Sequence, residues 1–159
     1  MRKEFREMIW NKYDKHCAYC GKILEYENMQ VDHVIPRYHK WTEEYLEKVN
    51  RCRKYFGTYQ EPIVRGTNDF ENLVPSCRRC NYIKATMTIE KFREIIENKV
   101  ETLNKVSVVY RMAKDYGLIK ETDNPVTFYF EKKRMKDEKE KNVDRKILYV
   151  NLDAEVERR

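Results

Sequence analysis

Apolar positions in this chain follow helical spacing over most of its length and alternate in only a few short stretches. Phe5, Met8, Ile9 and Tyr13 predict an amphipathic helix over residues 3–15. Val31, His33 and Ile35 share one parity between Met29 and Ile35, which predicts a short strand ended by Pro36. From residue 38 to 56 the period returns to that of a helix. Trp41, Tyr45, Val49, Cys52 and Phe56 form one stripe, stopped by Gly57. Residues 57–71 read as loop, punctuated by Pro62, Gly66 and the Asn68–Asp69 pair. A helix is expected after Cys80. Another begins at Thr88, a good N-cap, with Phe92, Ile95 and Ile96 inward. A third runs from about Glu101 to Tyr116 and ends at Gly117. Pro125 to Phe130 alternates like a strand, residues 131–146 are almost wholly charged, and residues 147–150 (ILYV) predict a further strand.

Composition narrows the class. Of 159 residues, 41% are hydrophobic and 38% charged, which suits one domain with a modest core. No apolar run approaches the roughly 18 residues a membrane helix needs. The opening MRKEFREMIW lacks a signal-peptide core, so the expected location is the cytoplasm, with no membrane partner. The net charge of +6 leans towards a polyanion and says little more alone.

The cysteines add chemistry. Four of the five form two CxxC pairs, Cys17–Cys20 and Cys77–Cys80. An odd count argues against a disulfide framework. Two knuckles of two thiolates supply the tetrahedral soft donor set of a structural Zn²⁺. The fifth, Cys52, lies on the helical stripe and reads as a small buried apolar residue.

Within the zinc-tied span, Asp32 and His33 end the predicted strand. Neighbours on a strand face opposite ways, so the two carry different roles at one site. A phosphodiester hydrolase needs a base for water and a cation for phosphate charge. His33 suits the base. Asp32 suits a hard cation such as Mg²⁺ or Mn²⁺, and an amide such as Asn81, directly after Cys80, suits it as a second ligand. Lys84 falls one turn further on the same helical face.

The order CAYC, VDHVIP, ENLVPSCRRCN and YIK resembles the HNH endonucleases over roughly residues 10–97, minus an insertion. Each motif is weak alone, and their joint order is specific. The resemblance implies an α+β fold with a ββα-metal (His-Me finger) core, a structural zinc and flanking helices. It makes His33 the general base and Asn72 the residue that orients it and shapes the loop. Asp32 and Asn81 become ligands of a catalytic Mg²⁺ or Mn²⁺. Asn at the last position makes this an H-N-N variant, similar to the HNH domain of RNA-guided CRISPR nucleases. Arg37 and Lys84 become phosphate contacts, as do Arg78, Arg79, Arg51, Arg53 and Lys54, where cations cluster. The implied activity is metal-dependent hydrolysis of double-stranded DNA, by a monomer or a homodimer. The layout resembles the small stand-alone nucleases of phages and mobile elements. The rival function is a zinc-stabilised nucleic-acid-binding module without catalysis.

On this reading residues 1–117 form the nuclease domain, with a helical insertion at about 37–66. Residues 118–159 form a charged extension with a small C-terminal β element. The insertion reads equally as a groove-contacting element or as a helix covering the zinc core. His16 and His39 read as bystanders.

Overall fold

In the computed structural model the described residues are 1–38, 42–55 and 64–141, with side chains for all of these except 53–55. His39, Trp41, Phe56, Gly57, Pro62 and the ILYV segment lie outside them. The described chain is α+β, with seven helices around one two-stranded antiparallel sheet. None of these helices is long and apolar enough to cross a membrane.

Strand β1 (Gln30–His33) pairs with β2 (Leu73–Ser76), with His33 opposite Leu73 and Gln30 opposite Ser76. All of β2 is buried. Pro75 within it has no amide to satisfy, and its carbonyl takes the Ala18 amide at 2.8 Å. Helix α1 (Lys3–Asn11) lies against this sheet. The Arg6 guanidinium donates to the Tyr26 and Met29 carbonyls just before β1. The Lys12 ammonium donates to the carbonyls of Phe70 and Leu73 at the start of β2.

After β2 the chain enters α3 (Arg78–Lys84), α4 (Ile89–Glu97), α5 (Lys99–Val106) and α6 (Val108–Asp115). Thr88 caps α4 as expected, its hydroxyl accepting from the Lys91 amide. Phe92 is buried, with Ile95 and Ile96 half-buried. The single helix expected from Glu101 to Tyr116 is instead two. Ser107 takes an extended conformation between them, and its hydroxyl caps α6 through the Tyr110 amide. Gly117, at φ +72°, ends α6 as expected.

Two further expectations fail. The stripe proposed for residues 38–56 is rotated from the real one. Helix α2 (Glu43–Tyr55) buries Leu46, while Tyr45 and Cys52 are exposed. Nor is Pro125 to Phe130 a strand. The Tyr129 and Phe130 amides donate to the Tyr19 and Ala18 carbonyls in the first knuckle rather than to a strand neighbour. Helix α7 (residues 129–141) starts there, because Glu131 reaches back to the Phe128 amide at 2.8 Å. The charged run is thus helical as far as residue 141.

Phe128 packs into one core with Tyr19, Phe92, Leu24, Met29 and Val74 around the cysteine pairs. Tyr19, Phe92 and Phe128 meet pairwise at ring-centroid separations of 5.3–5.6 Å. The Arg93 guanidinium covers the Phe128 ring at 4.7 Å and pairs with Glu131 at 2.6 Å. The segment after Gly117 therefore supplies part of the core that surrounds the knuckles.

Candidate functional site

The CxxC pairs converge as their spacing implied. The sulfurs of Cys17, Cys20, Cys77 and Cys80 all lie within 4.8 Å of one another. A tetrahedral Zn²⁺ with bonds of about 2.3 Å requires sulfurs roughly 3.8 Å apart. Cys20 and Cys77 are 3.9 Å apart. Donor type and spacing therefore fit zinc. Each knuckle has a local cause. In the first, the Gly21 amide donates to the Cys17 carbonyl at 2.9 Å with φ at +72°, and the Tyr129 ring leaves no room for a Cβ. In the second, Cys77 caps α3, and its sulfur accepts from the Cys80 amide.

The four thiols also press on one another. A hydrogen bond from Cys80, aided by backbone amides, pulls the Cys17 thiol down to about 4 against its burial. The same hydrogen bond and burial push Cys80 well up, and burial raises Cys20. A metal bound at the centre takes thiolates, so its binding would release protons from the cluster.

Four strand residues and seven helical residues each reach about 10 Å. Accordingly β1 and α3 run side by side from the cysteine cluster to His33. At the far end the Lys84 ammonium donates to the His33 carbonyl at 2.7 Å and lies 3.3 Å from Asp32 Oδ2. Lys84 is completely buried. Its expected role as a phosphate contact is therefore corrected: burial holds it beneath the strand. Burial also lowers its pKa, opposed by the Asp32 charge.

Asp32 and His33 face opposite ways, as strand parity requires. Asp32 is 6% exposed, whereas the His33 ring is half-buried at the surface. Asp32 Oδ2 accepts from the Tyr19 hydroxyl at 2.6 Å, and Oδ1 accepts from the His33 amide at 2.8 Å. Burial and then the Asp32 charge push the Tyr19 hydroxyl well above its usual range. A carboxylate has about four lone-pair sites. Three are taken, and the one left is on Oδ1.

Asn72 works on the backbone. Its side-chain oxygen accepts from the Ile35 amide, and its nitrogen donates to the Ile35 and Thr67 carbonyls. It ties the exit from β1 to the returning chain. Gly66 makes this possible: a Cβ there would lie 1.8 Å from the Ile35 carbonyl oxygen. The sequence marked Gly66 as a turn signal, yet close approach is what demands it. Gly66→Ala should cost about 1–3 kcal/mol, as for overpacking of a tight contact, read from its urea midpoint.

Asn81 is half-buried on α3, one turn before Lys84. Arg37, Arg51, Arg78 and Arg79 are exposed. Arg78 and Arg79 line a cleft with Lys22 and Gln30 at the cysteine end of β1, away from His33. Arg53 and Lys54 lie on α2, and their side chains are outside those described. His16 stacks on Tyr129 at 5.0 Å, apart from the zinc ligands, in keeping with a bystander.

Sequence reasoning missed two contacts. Tyr19 sits inside CAYC, where nothing signals that its hydroxyl would reach Asp32. Asn68 carries only a turn signal in the sequence. Its side-chain oxygen lies 3.0 Å from His33 Nε2.

Neither a family profile nor a curated protein sequence matches this chain. Among solved structures it is similar to the crystal structure of the Type II-C Cas9 enzyme from Actinomyces naeslundii, at a TM-score of 0.37 and 22% identity. The alignment covers 57% of this chain and 7% of that one.

Proposed function

We propose that this protein is a metal-dependent endonuclease of the HNH type, acting on double-stranded DNA with His33 as general base. One observation carries the reading. The His33 ring stands at the surface end of a strand–strand–helix unit, while the carboxylate of Asp32 lies directly behind it. A binding module has no use for an imidazole and a carboxylate held back to back in this way.

Asp32 Oδ1, with its unused lone pair, and the Asn81 amide would hold Mg²⁺ or Mn²⁺. This sparse oxygen set suits a hard cation that keeps most of its waters. When bound, the cation neutralises charge on the phosphate and on the departing oxygen. The chain's own groups do the rest. His33 takes a proton from water, the water oxygen bonds to phosphorus, and the 3′ oxygen leaves in line. Asn72 keeps the loop beside the ring in place. The exposed Arg37, Arg51, Arg78 and Arg79 offer cations for the DNA backbone, spread over more than one phosphate.

Nicking of supercoiled plasmid tests this, with Mg²⁺ or Mn²⁺ added or omitted and the zinc content measured alongside. Wild type should relax or linearise the plasmid only with the added cation. His33→Ala should keep its zinc and fold and cut about 10²- to 10⁴-fold more slowly. If His33→Ala cuts like wild type, His33 is not the base. A wild type that shifts DNA in a gel with or without Mg²⁺, and leaves it intact, favours the binding module.

A further inference from the structure

We infer that Asn68 is a positioning residue that sets which nitrogen of His33 is free to take a proton. The inference rests on the reading of His33 as the base.

An amide oxygen accepts hydrogen bonds and cannot donate them. The 3.0 Å contact between Asn68 Oδ1 and His33 Nε2 therefore places the ring proton on Nε2. In the neutral ring the lone pair is then on Nδ1. A histidine free of such a partner divides between two tautomers.

Asn68 is exposed, so water competes for its amide. Its backbone is nevertheless pinned on both sides. Upstream, the Gly66 amide donates to the Pro36 carbonyl at 2.9 Å, and the Thr67 carbonyl accepts from Asn72 Nδ2 at 2.9 Å. Downstream, the Asn72 amide donates to the Asp69 carbonyl at 3.0 Å. Asn68 is thus presented to the ring by a loop held before substrate arrives. Each of these clamps also runs to the chain just after His33 or to the start of β2. The two asparagines divide the work: Asn72 shapes the loop through backbone contacts, and Asn68 holds the ring.

The test uses the zinc-loaded full chain, with imidazole nitrogens labelled and observed by NMR. The His33 signals are assigned by their loss in His33→Gln. In wild type the neutral His33 ring should carry its proton on Nε2, in about tenfold excess over the other form, as one hydrogen bond to a fixed partner would impose. Asn68→Ala should bring the two forms towards parity. Asn68→Asp, which keeps an oxygen acceptor for the Nε2 proton, should retain the wild-type excess. In the plasmid assay Asn68→Ala should lower kcat about tenfold with little change in KM, the loss of one hydrogen bond. Asn68→Asp should lose less of kcat than Asn68→Ala does. Identical tautomer ratios in wild type and Asn68→Ala would overturn the inference. An inert wild type with the expected tautomer shift would instead remove the nuclease reading and leave the positioning role standing.

Discussion

Removing zinc from this protein should unfold the core as a whole. The cysteine cluster is not a clip on the periphery. Cys17 and Cys80 are buried among Tyr19, Phe92 and Phe128, and the first knuckle anchors both β2, through the Ala18 amide, and the start of α7, through the carbonyls of Ala18 and Tyr19. Structural zinc in small domains contributes about 10–16 kcal/mol of apparent binding energy at neutral pH. A domain of this size has a total stability of only about 5–15 kcal/mol. Losing the ion therefore removes an amount comparable to the whole stability of the fold. Purified protein should release one zinc per chain to a colorimetric chelator and lose its cooperative thermal transition. Cys77→Ser should behave as the stripped protein does. Cys52→Ser is the control: that thiol is exposed on α2 and should change neither zinc content nor melting. A thermal transition unchanged by chelation would mean that the thiols hold no structural ion.

Lys84→Ala should destabilise the protein by about 3–5 kcal/mol, because it leaves the Asp32 carboxylate buried without its cation. The ammonium is completely buried and serves two acceptors on β1, the His33 carbonyl and Asp32. Only the Tyr19 hydroxyl and the His33 amide would remain on Asp32. Replacing both partners with apolar residues of similar size, as in Asp32→Leu with Lys84→Met, should cost less than the two single changes added together. Urea denaturation of the four proteins measures this coupling. Strict additivity would show that the pair does not act as one unit. The double variant is also expected to be inactive, since it lacks the proposed cation ligand.

The parts of the site that the sequence revealed were those whose chemistry is written in residue type and short spacing. Two CxxC pairs brought four sulfurs together whatever the chain did between them. Strand parity separated Asp32 from His33 correctly, and Thr88 and Gly117 marked helix ends by mechanisms that act within four residues. What stayed hidden depended on distant partners. Lys84 looks like any surface lysine until α3 is laid along β1. Pro125 to Phe130 alternates, but the knuckle carbonyls of Ala18 and Tyr19 claimed its amides before a strand could. Ser107 breaks a helix whose apolar period runs on without interruption. On α2 the apolar stripe through Tyr45, Val49 and Cys52 outnumbered Leu46, and only the packed structure shows that Leu46 is the buried residue.

The hydrogen bond from the Gly66 amide to the Pro36 carbonyl closes the base of the inserted segment. With both ends of a loop already joined, doubling its length adds only about 0.6 kcal/mol of closure entropy. His33, Asn68, Asn72 and the four clustered cysteines all lie outside the stretch between Pro36 and Gly66. Segments of quite different length, even a small independent domain whose termini lie close together, should fit between Pro36 and Gly66 without disturbing the tilt of the histidine. Sequence and length can then vary there while the surroundings of His33 stay as they are.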